Sequence, residues 1–291
     1  MLESIARQCV ACGTASRAGL TPWHFQCHSC DYESATLPPA INQSREHDLL
    51  DEDKRESALR HLRNESFKAI VARARTYLHA HRPRLLDVGS AHGWFLEQAS
   101  ADFDVLGVEP DEIVCRKAAA RGLPVRNGYF PDALEPSEKF DVIVFNDVIE
   151  HIPQIEDALK DTWNRLNPDG VLILNLPNSA GFFYRLSKLF RRVGVSGPFD
   201  RMWQKGLPAP HLHYFNRDNL ERLVANQNFK TIDFFELPSV NANGLLERIR
   251  CVGTGNVATA YLQFLVIRCA LPFLRFFKSD IMVCVFKKRA A

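Results

Sequence analysis

The side chains able to do chemistry in this chain fall into three groups, and the spacing of each restricts its use. The first group is acidic. Leu85-Leu86-Asp87-Val88-Gly89-Ser90-Ala91-His92-Gly93 is a short apolar run ending in an acid and a turn of small residues. Val105-Leu106-Gly107-Val108-Glu109 is a second apolar run ending in an acid. A small-residue turn lets backbone approach a ligand at the carboxyl edge of a sheet, where doubly wound α/β folds bind nucleotides. Glu109 is placed to accept hydrogen bonds from a ribose diol. Asp87, close to the turn, repels phosphate and suits a cationic amino-acid group. The glycine pattern excludes a dinucleotide, whose pyrophosphate needs G-x-G-x-x-G at a helix N-terminus. These residues together predict a nucleoside cofactor.

The second group combines carboxylate and imidazole. Val142 to Phe145 reads as a buried strand that opens into a loop carrying Asn146, Glu150 and His151. An imidazole whose ordinary pKa lies near neutrality is suited to general-base work, so His151 is the candidate base and Glu150 its neighbour. His211 and His213 alternate on an extended segment, which puts both rings on one face. They can contact a metal or an acceptor, or one ring can pack against the core while the other hydrogen-bonds a neighbouring segment.

The third group is sulfur. Cys9-x-x-Cys12 and Cys27-x-x-Cys30, with fourteen residues between the pairs, match a zinc-ribbon arrangement in which four thiolates close around one tetrahedral Zn²⁺. Four thiolates leave no open position, so this zinc is expected to be structural. Cys115, Cys251, Cys269 and Cys284 are scattered.

The elements that position these groups follow from pattern. Residues 1–36 form the expected ribbon, and 37–84 a linker grading into an amphipathic helix between Ala58 and His79. Residues 85–291 carry the remaining sheet and helices. Asn216 or Asp218 caps a helix through Gln227, Thr231 to Glu236 forms a strand, and Ser279 to Lys288 forms a last, antiparallel strand. Two segments interrupt the plan, at about 180–210 and 241–278. In the first, Phe182, Phe183, Leu186, Leu189 and Phe190 share one helical face, and six Lys and Arg stand against one Asp. That pattern fits a membrane-surface or anion-binding helix, or a lid whose apolar face covers the core. In the second, Val257 to Phe277 is apolar but is broken by Gln263, Arg268, Pro272 and Arg275. It is therefore expected to be a buried hairpin, a dimer surface or an in-plane anchor rather than a membrane span.

The order of these motifs resembles the class I S-adenosylmethionine-dependent methyltransferases. Asp87-x-Gly89-x-Ala91-x-Gly93 is similar to that family's D-x-G-x-G-x-G, with Ala91 in place of the middle glycine. Phe140-Asp141-Val142-Ile143, Ile149-Glu150-His151-Ile152 and Leu166-Asn167-Pro168-Asp169-Gly170 to Pro177-Asn178 resemble its later strand regions. The resemblance implies an α/β, Rossmann-like sheet with helices on both faces. It also implies S-adenosylmethionine as cofactor, with Asp87, Gly89, Ser90 and Gly93 framing the methionine part, Glu109 on the ribose and Asn146 near the amine. The loop Asn127-Gly128-Tyr129-Phe130 falls where the family contacts adenine, with Asp132 as the nearest acid. In related ubiquinone-pathway O-methyltransferases the Glu-His step is associated with catalysis or divalent-metal binding. Pro210-His211-Leu212-His213-Tyr214-Phe215 resembles a segment shared with sugar and quinone methyltransferases, and His213 joins Glu150 and His151 as a candidate catalytic residue.

Composition sets the remaining bounds. At 291 residues, 46% hydrophobic and 24% charged, the chain suits one large core with a small appendage. A net charge of +2 argues against bulk nucleic-acid binding. Met1 to Gln8 has no apolar core of signal-peptide length, and eight cysteines without an export signal fit a reducing compartment, so a cytoplasmic protein, with peripheral membrane contact, is expected. The expected acceptor is a small molecule, a sugar or a lipid-linked hydroxyl, and a homodimer fits the apolar insertion. The alternative is RNA methylation guided by the ribbon; against it, no N-P-P-Y-type motif follows the fourth strand, and Arg17 is the one Lys or Arg between Cys9 and Cys30. A third reading is a non-catalytic binding platform.

Overall fold

Two Cys-x-x-Cys turns leave room only for short strands between them. The N-terminal segment forms three: β1 (Ser16–Ala18), β2 (His24–Cys27) and β3 (Glu33–Ala35), paired antiparallel in that order. The computed structural model describes residues 8–40, 52–240, 246 and 257–289. Helix α1 (Glu52–Arg75) leads into the main domain.

There β4 (Arg84–Val88), α2 (Trp94–Ala99), β5 (Asp104–Glu109), α3 (Glu112–Ala120), β6 (Val125–Asn127), β7 (Phe140–Asn146), α4 (Ile155–Arg165) and β8 (Leu166–Pro177) alternate as βα units. Helices α5 (Phe182–Arg192) and α6 (Gly197–Met202) follow, then the two-residue strand β9 (His213–Tyr214). Helix α7 (Arg217–Asn226), β10 (Phe229–Leu237), α8 (Val257–Leu274) and β11 (Ile281–Lys288) complete the described chain.

Seven strands form one sheet in the order β10-β11-β8-β7-β4-β5-β6. Strands β4 to β8 run parallel, and β11 lies antiparallel between β10 and β8. The central strands are apolar through their middles, as in Leu85–Leu86, Val142–Phe145 and Val171–Leu174, because helices cover both faces. Phe67, Ile70 and Val71 of α1 and Phe95 of α2 pack on one face, and Ile155 and Leu159 of α4 and Leu220 and Leu223 of α7 on the other. This is the Rossmann-like architecture expected from the sequence, with the last strand tucked between its neighbours. Asn216 caps α7 through a reciprocal capping box with Asn219.

The ribbon is not a free appendage. Strand β9 pairs antiparallel with β3, Ser34 opposite His213 and Glu33 opposite Tyr214, so a four-stranded sheet is shared between the two regions. Cys9, Ala11, Cys27 and Tyr32 belong to the same buried cluster as Leu86, Phe145 and Leu174 of the main sheet. On its other side Trp23 stacks on Phe199 of α6, with ring centroids 5.7 Å apart.

Helix α5 also differs from its sequence pattern. Its buried residues are Tyr184 and Ser187, whereas Leu189 and Phe190 stand 54% and 41% exposed. The reason is Glu33, a buried ribbon acid that accepts hydrogen bonds from Tyr184 Oη at 2.8 Å and Lys188 Nζ at 2.7 Å. A buried carboxylate demands such partners, so the helix turns its polar pair inward. Burial alone would raise the Glu33 pKa, but the His24 hydrogen bond and the Lys188 charge outweigh it and hold the carboxyl below its ordinary value. The second interruption falls partly outside the described residues, as does Cys251. Its described part is α8, where Leu262, Leu265 and Phe273 are exposed. Among the described residues no helix is long and apolar enough to cross a membrane.

Candidate active site

The turn after β4 is shaped by three residues with left-handed backbone. Gly89 and Gly93 have φ of 71° and 73°. A Cβ on Gly89 would lie 2.5 Å from Val148 Cγ2, and one on Gly93 2.4 Å from Leu123 Cδ1. Glycine at 89 therefore lets the loop after β7 close against the loop after β4. Ala91 adopts φ 44°, the conformation a glycine takes freely. Its N–H donates to Glu109 Oε2 at 2.8 Å, which holds the strained turn in place.

Glu109 ends β5 beside that turn. Its second oxygen accepts from Asp111 N at 2.8 Å, so both oxygens are oriented by backbone and still have lone pairs to offer. Burial raises its pKa above the ordinary carboxylate value. One strand over, Asp87 accepts from Asn146 Nδ2 at 3.2 Å. Burial first, and then the Glu109 charge, push the Asp87 pKa up to about 8. Asn146 stands in register with Asn175 of β8, and among the described residues neither side-chain oxygen of that pair has a hydrogen-bond partner; nor has Ser90 Oγ. Sequence reasoning missed Asn175, whose signal was a lone amide within the apolar run Val171 to Leu176. Two buried acids and three buried oxygens without donors fit a ligand that brings positive charge and hydroxyl or ammonium protons. On the far side Tyr129 and Asp132 are exposed in the loop after β6.

The raised pKa gives a measurable linkage. Below about pH 8 the Asp87 carboxyl of the free protein holds a proton, and a bound cation favours the ionised form. Cofactor binding at pH 7 is therefore expected to release a proton, and affinity to rise with pH through about 8. Calorimetry in two buffers of different ionisation enthalpy reads the proton directly, and a buffer-independent heat would overturn the assignment. In the free protein the same shift contributes stability fully below the unfolded value of 3.8 and loses it as pH rises through about 8.

Across the carboxyl edge, the loop after β7 forms a single turn, Ile149–His151, between β7 and α4. Glu150 is fully buried, and neither carboxylate oxygen has a hydrogen-bond partner among the described residues. Burial and the nearby Asp147 charge raise its pKa well above the ordinary value. His151 Nδ1 lies 2.9 Å from Pro210 O. A carbonyl only accepts, so Nδ1 carries the proton and Nε2 keeps its lone pair. Burial lowers the His151 pKa, which leaves the imidazole neutral near pH 7. His211 comes from a distant segment to stand with its ring 4.8 Å from that of His151. Its Nε2 lies 3.9 Å from Glu150 Oε1, and His151 Nε2 lies 4.0 Å from the same oxygen. The three donor atoms lie within 4.8 Å of one another, so this group is also able to hold a divalent cation.

His213 stands differently from the expectation for a catalytic imidazole. Its Nε2 meets Ile152 O at 3.0 Å and its Nδ1 meets Tyr32 Oη, so neither ring nitrogen is left for an acceptor. Burial pushes its pKa down to about 4.

The four ribbon cysteines come together. Cys9 and Cys30 sulfurs are 3.6 Å apart and those of Cys12 and Cys27 are 3.5 Å apart. A tetrahedral Zn²⁺ with Zn–S bonds of 2.3 Å needs sulfurs about 3.8 Å apart, whereas a disulfide needs about 2 Å. The donor set fits a structural metal.

Comparison with known proteins agrees with this fold. Residues 59–233 match the family model described as Methyltransferase domain. A ubiquinone biosynthesis O-methyltransferase from Paramagnetospirillum magneticum is 35% identical over 95 residues, covering 31% of this chain and 38% of that protein. Its namesake from Azorhizobium caulinodans is 29% identical over 102 residues, covering 33% and 40%. The matches thus span about two fifths of the length of these relatives. Among solved structures, a SAM-dependent methyltransferase from Thermotoga maritima superposes with a TM-score of 0.51 at 18% identity, over 82% of this chain and 96% of that one. Phosphoethanolamine N-methyltransferase 2 of Haemonchus contortus, solved with S-adenosyl-L-methionine, gives 0.54 at 18% identity over 78% and 53%. These two likenesses establish the fold. The chain belongs to the Methyltransferase domain family.

Proposed function

We propose that this enzyme methylates a hydroxyl group of a small or lipid-linked acceptor, with His151 as general base. The observation that carries the proposal is the hydrogen bond from His151 Nδ1 to Pro210 O, which leaves Nε2 unprotonated on a neutral, largely buried ring. S-adenosylmethionine, when bound, supplies an electrophilic methyl group and leaves as a thioether. Asp87, Asn146 and Asn175 would hold its amino-acid part and Glu109 its ribose. His151 Nε2 would take the acceptor O–H proton as that oxygen is methylated. Burial raises the Glu150 pKa, which weakens the pull of its carboxyl on a proton held by His151. The names of the two relatives support an oxygen acceptor.

Exposed Leu189, Phe190, Phe273 and Phe276, beside Arg191, Arg192 and Arg275, support presentation of a greasy acceptor at an anionic lipid surface. RNA methylation gains nothing from the fold, because Trp23 and Tyr32 of the ribbon pack inward on α6 and β9.

The test uses methyl-labelled cofactor with 3,4-dihydroxybenzoate as a soluble hydroxyl probe and histamine as an amine probe, each with and without phosphatidylglycerol vesicles bearing a polyprenyl phenol. Label transferred to oxygen in either hydroxyl arm supports the proposal. Label on histamine alone overturns it.

A further inference from the structure

We infer that the ribbon builds the acceptor half of the active site, with Tyr32 as a positioning residue that acts through His213. The inference rests on the Glu150–His151 turn being the acceptor side. The link is continuous. The second knuckle closes with Asp31 N donating to Cys27 O at 2.9 Å and Cys27 N donating to Tyr32 O at 2.8 Å, so the metal turn fixes Tyr32. Tyr32 Oη donates to His213 Nδ1, which fixes that ring as the Nε2–H tautomer, and Nε2 donates to Ile152 O. Ile152 follows His151 directly.

A second link runs beside the first through backbone. Ala35 N donates to Leu212 O at 2.9 Å, and Leu212 N donates to Glu150 O at 2.8 Å. A third ties the ribbon to α5, where Glu33 binds Tyr184 and Lys188. Asn219 of α7 clamps the knuckle from outside by donating to Cys30 O at 2.9 Å. The hydrogen bonds that leave the ribbon here end on His213 and the rest of β9, on Leu212 beside it, or on the helices that follow β8. The cofactor groups Asp87, Ser90 and Glu109 bond within β4, β5, β7 and their loops. Metal in the ribbon is therefore expected to govern acceptor-side order without governing cofactor affinity.

Hydrogen exchange and calorimetry test this on the full chain without any acceptor, so failure of the hydroxyl reading does not touch the result. The zinc-loaded protein is compared with protein stripped by a chelator and with zinc-loaded Tyr32→Phe. In both perturbed proteins the amides of 149–152 and 211–214 are expected to exchange about tenfold faster or more, from loss of one buried hydrogen bond or the ladder around it. The amides of 85–89 and 105–109 are expected to stay unchanged, and S-adenosylhomocysteine affinity to stay within about twofold. Tyr32→Phe is also expected to release the His213 tautomer in ¹⁵N-imidazole spectra, a signature that loss of packing alone does not give. Unchanged protection at 149–152 in zinc-loaded Tyr32→Phe overturns the inference. So does an S-adenosylhomocysteine affinity that falls in parallel with protection, since the ribbon would then only brace the whole fold.

Discussion

Replacing Glu109 by alanine is expected to abolish measurable S-adenosylmethionine binding while leaving a folded, metal-loaded protein. A carboxylate that accepts from both hydroxyls of a ribose makes two charge-assisted hydrogen bonds, each worth about 1.5–3 kcal/mol. Their sum, roughly 3–6 kcal/mol, weakens binding by about 10²- to 10⁴-fold. A cofactor held at micromolar strength has only about 8 kcal/mol to lose, so the variant binds at about 0.1 mM or more weakly. Glu109→Gln is expected to be nearly as damaging. Both native oxygens already accept backbone N–H groups, from Ala91 and Asp111, and an amide nitrogen would oppose one of those donors. Isothermal titration decides the matter. Binding within tenfold of wild type in Glu109→Ala would remove the ribose role and move attention to Asn127 and the exposed loop beyond it.

The contrast between Glu109 and the residues that sequence reasoning missed shows what a pattern can carry. Asp87 and Glu109 each end an apolar run, so strand direction alone sends both to one sheet edge. The cysteine pairs were equally legible, because knuckle spacing is local. Long-range placement was not. His211 meets Glu150 across sixty-one positions of chain, and nothing in the short segment Pro210 to Phe215 says that two of its residues will join the ribbon sheet. Two-residue strands have no periodicity to read.

Helix α5 misled for a different reason. Apolar side chains outnumber polar ones on its predicted inner face, yet the ion pair between Lys188 and the buried Glu33 decides the orientation. Breaking such a buried pair costs about 3–5 kcal/mol, more than burying one further Leu or Phe returns. Charge outside the helix, invisible to any count along it, set its face. His213 shows the same limit. Its spacing from His211 is suitable for shared chemistry, but the partner that occupies its Nδ1 is Tyr32, from the other end of the chain.

His151 carries the second large effect. A positioned general base contributes about 10²- to 10⁴-fold in rate, or roughly 3–5 kcal/mol of barrier. His151→Gln is expected to lose that factor at pH 7 and saturating cofactor, because an amide can still donate to Pro210 O but cannot take a proton. The loss should shrink as pH rises. A phenolic acceptor ionises near pH 10, and once the oxygen is already anionic no base is needed. Wild-type rate, by contrast, is expected to fall only on the acid side, at a pH below the ordinary imidazole value of 6.5, since burial lowers the His151 pKa. A bound sulfonium cation nearby moves that limb further down. Because Asp87 titrates near pH 8 and affects cofactor binding in both proteins, the informative quantity is the ratio of the two kcat values at each pH. A ratio that narrows by tenfold or more between pH 7 and pH 10 identifies His151 as the base. A ratio that stays constant shows that its loss disturbs only the position of the acceptor, and proton removal then belongs to another group.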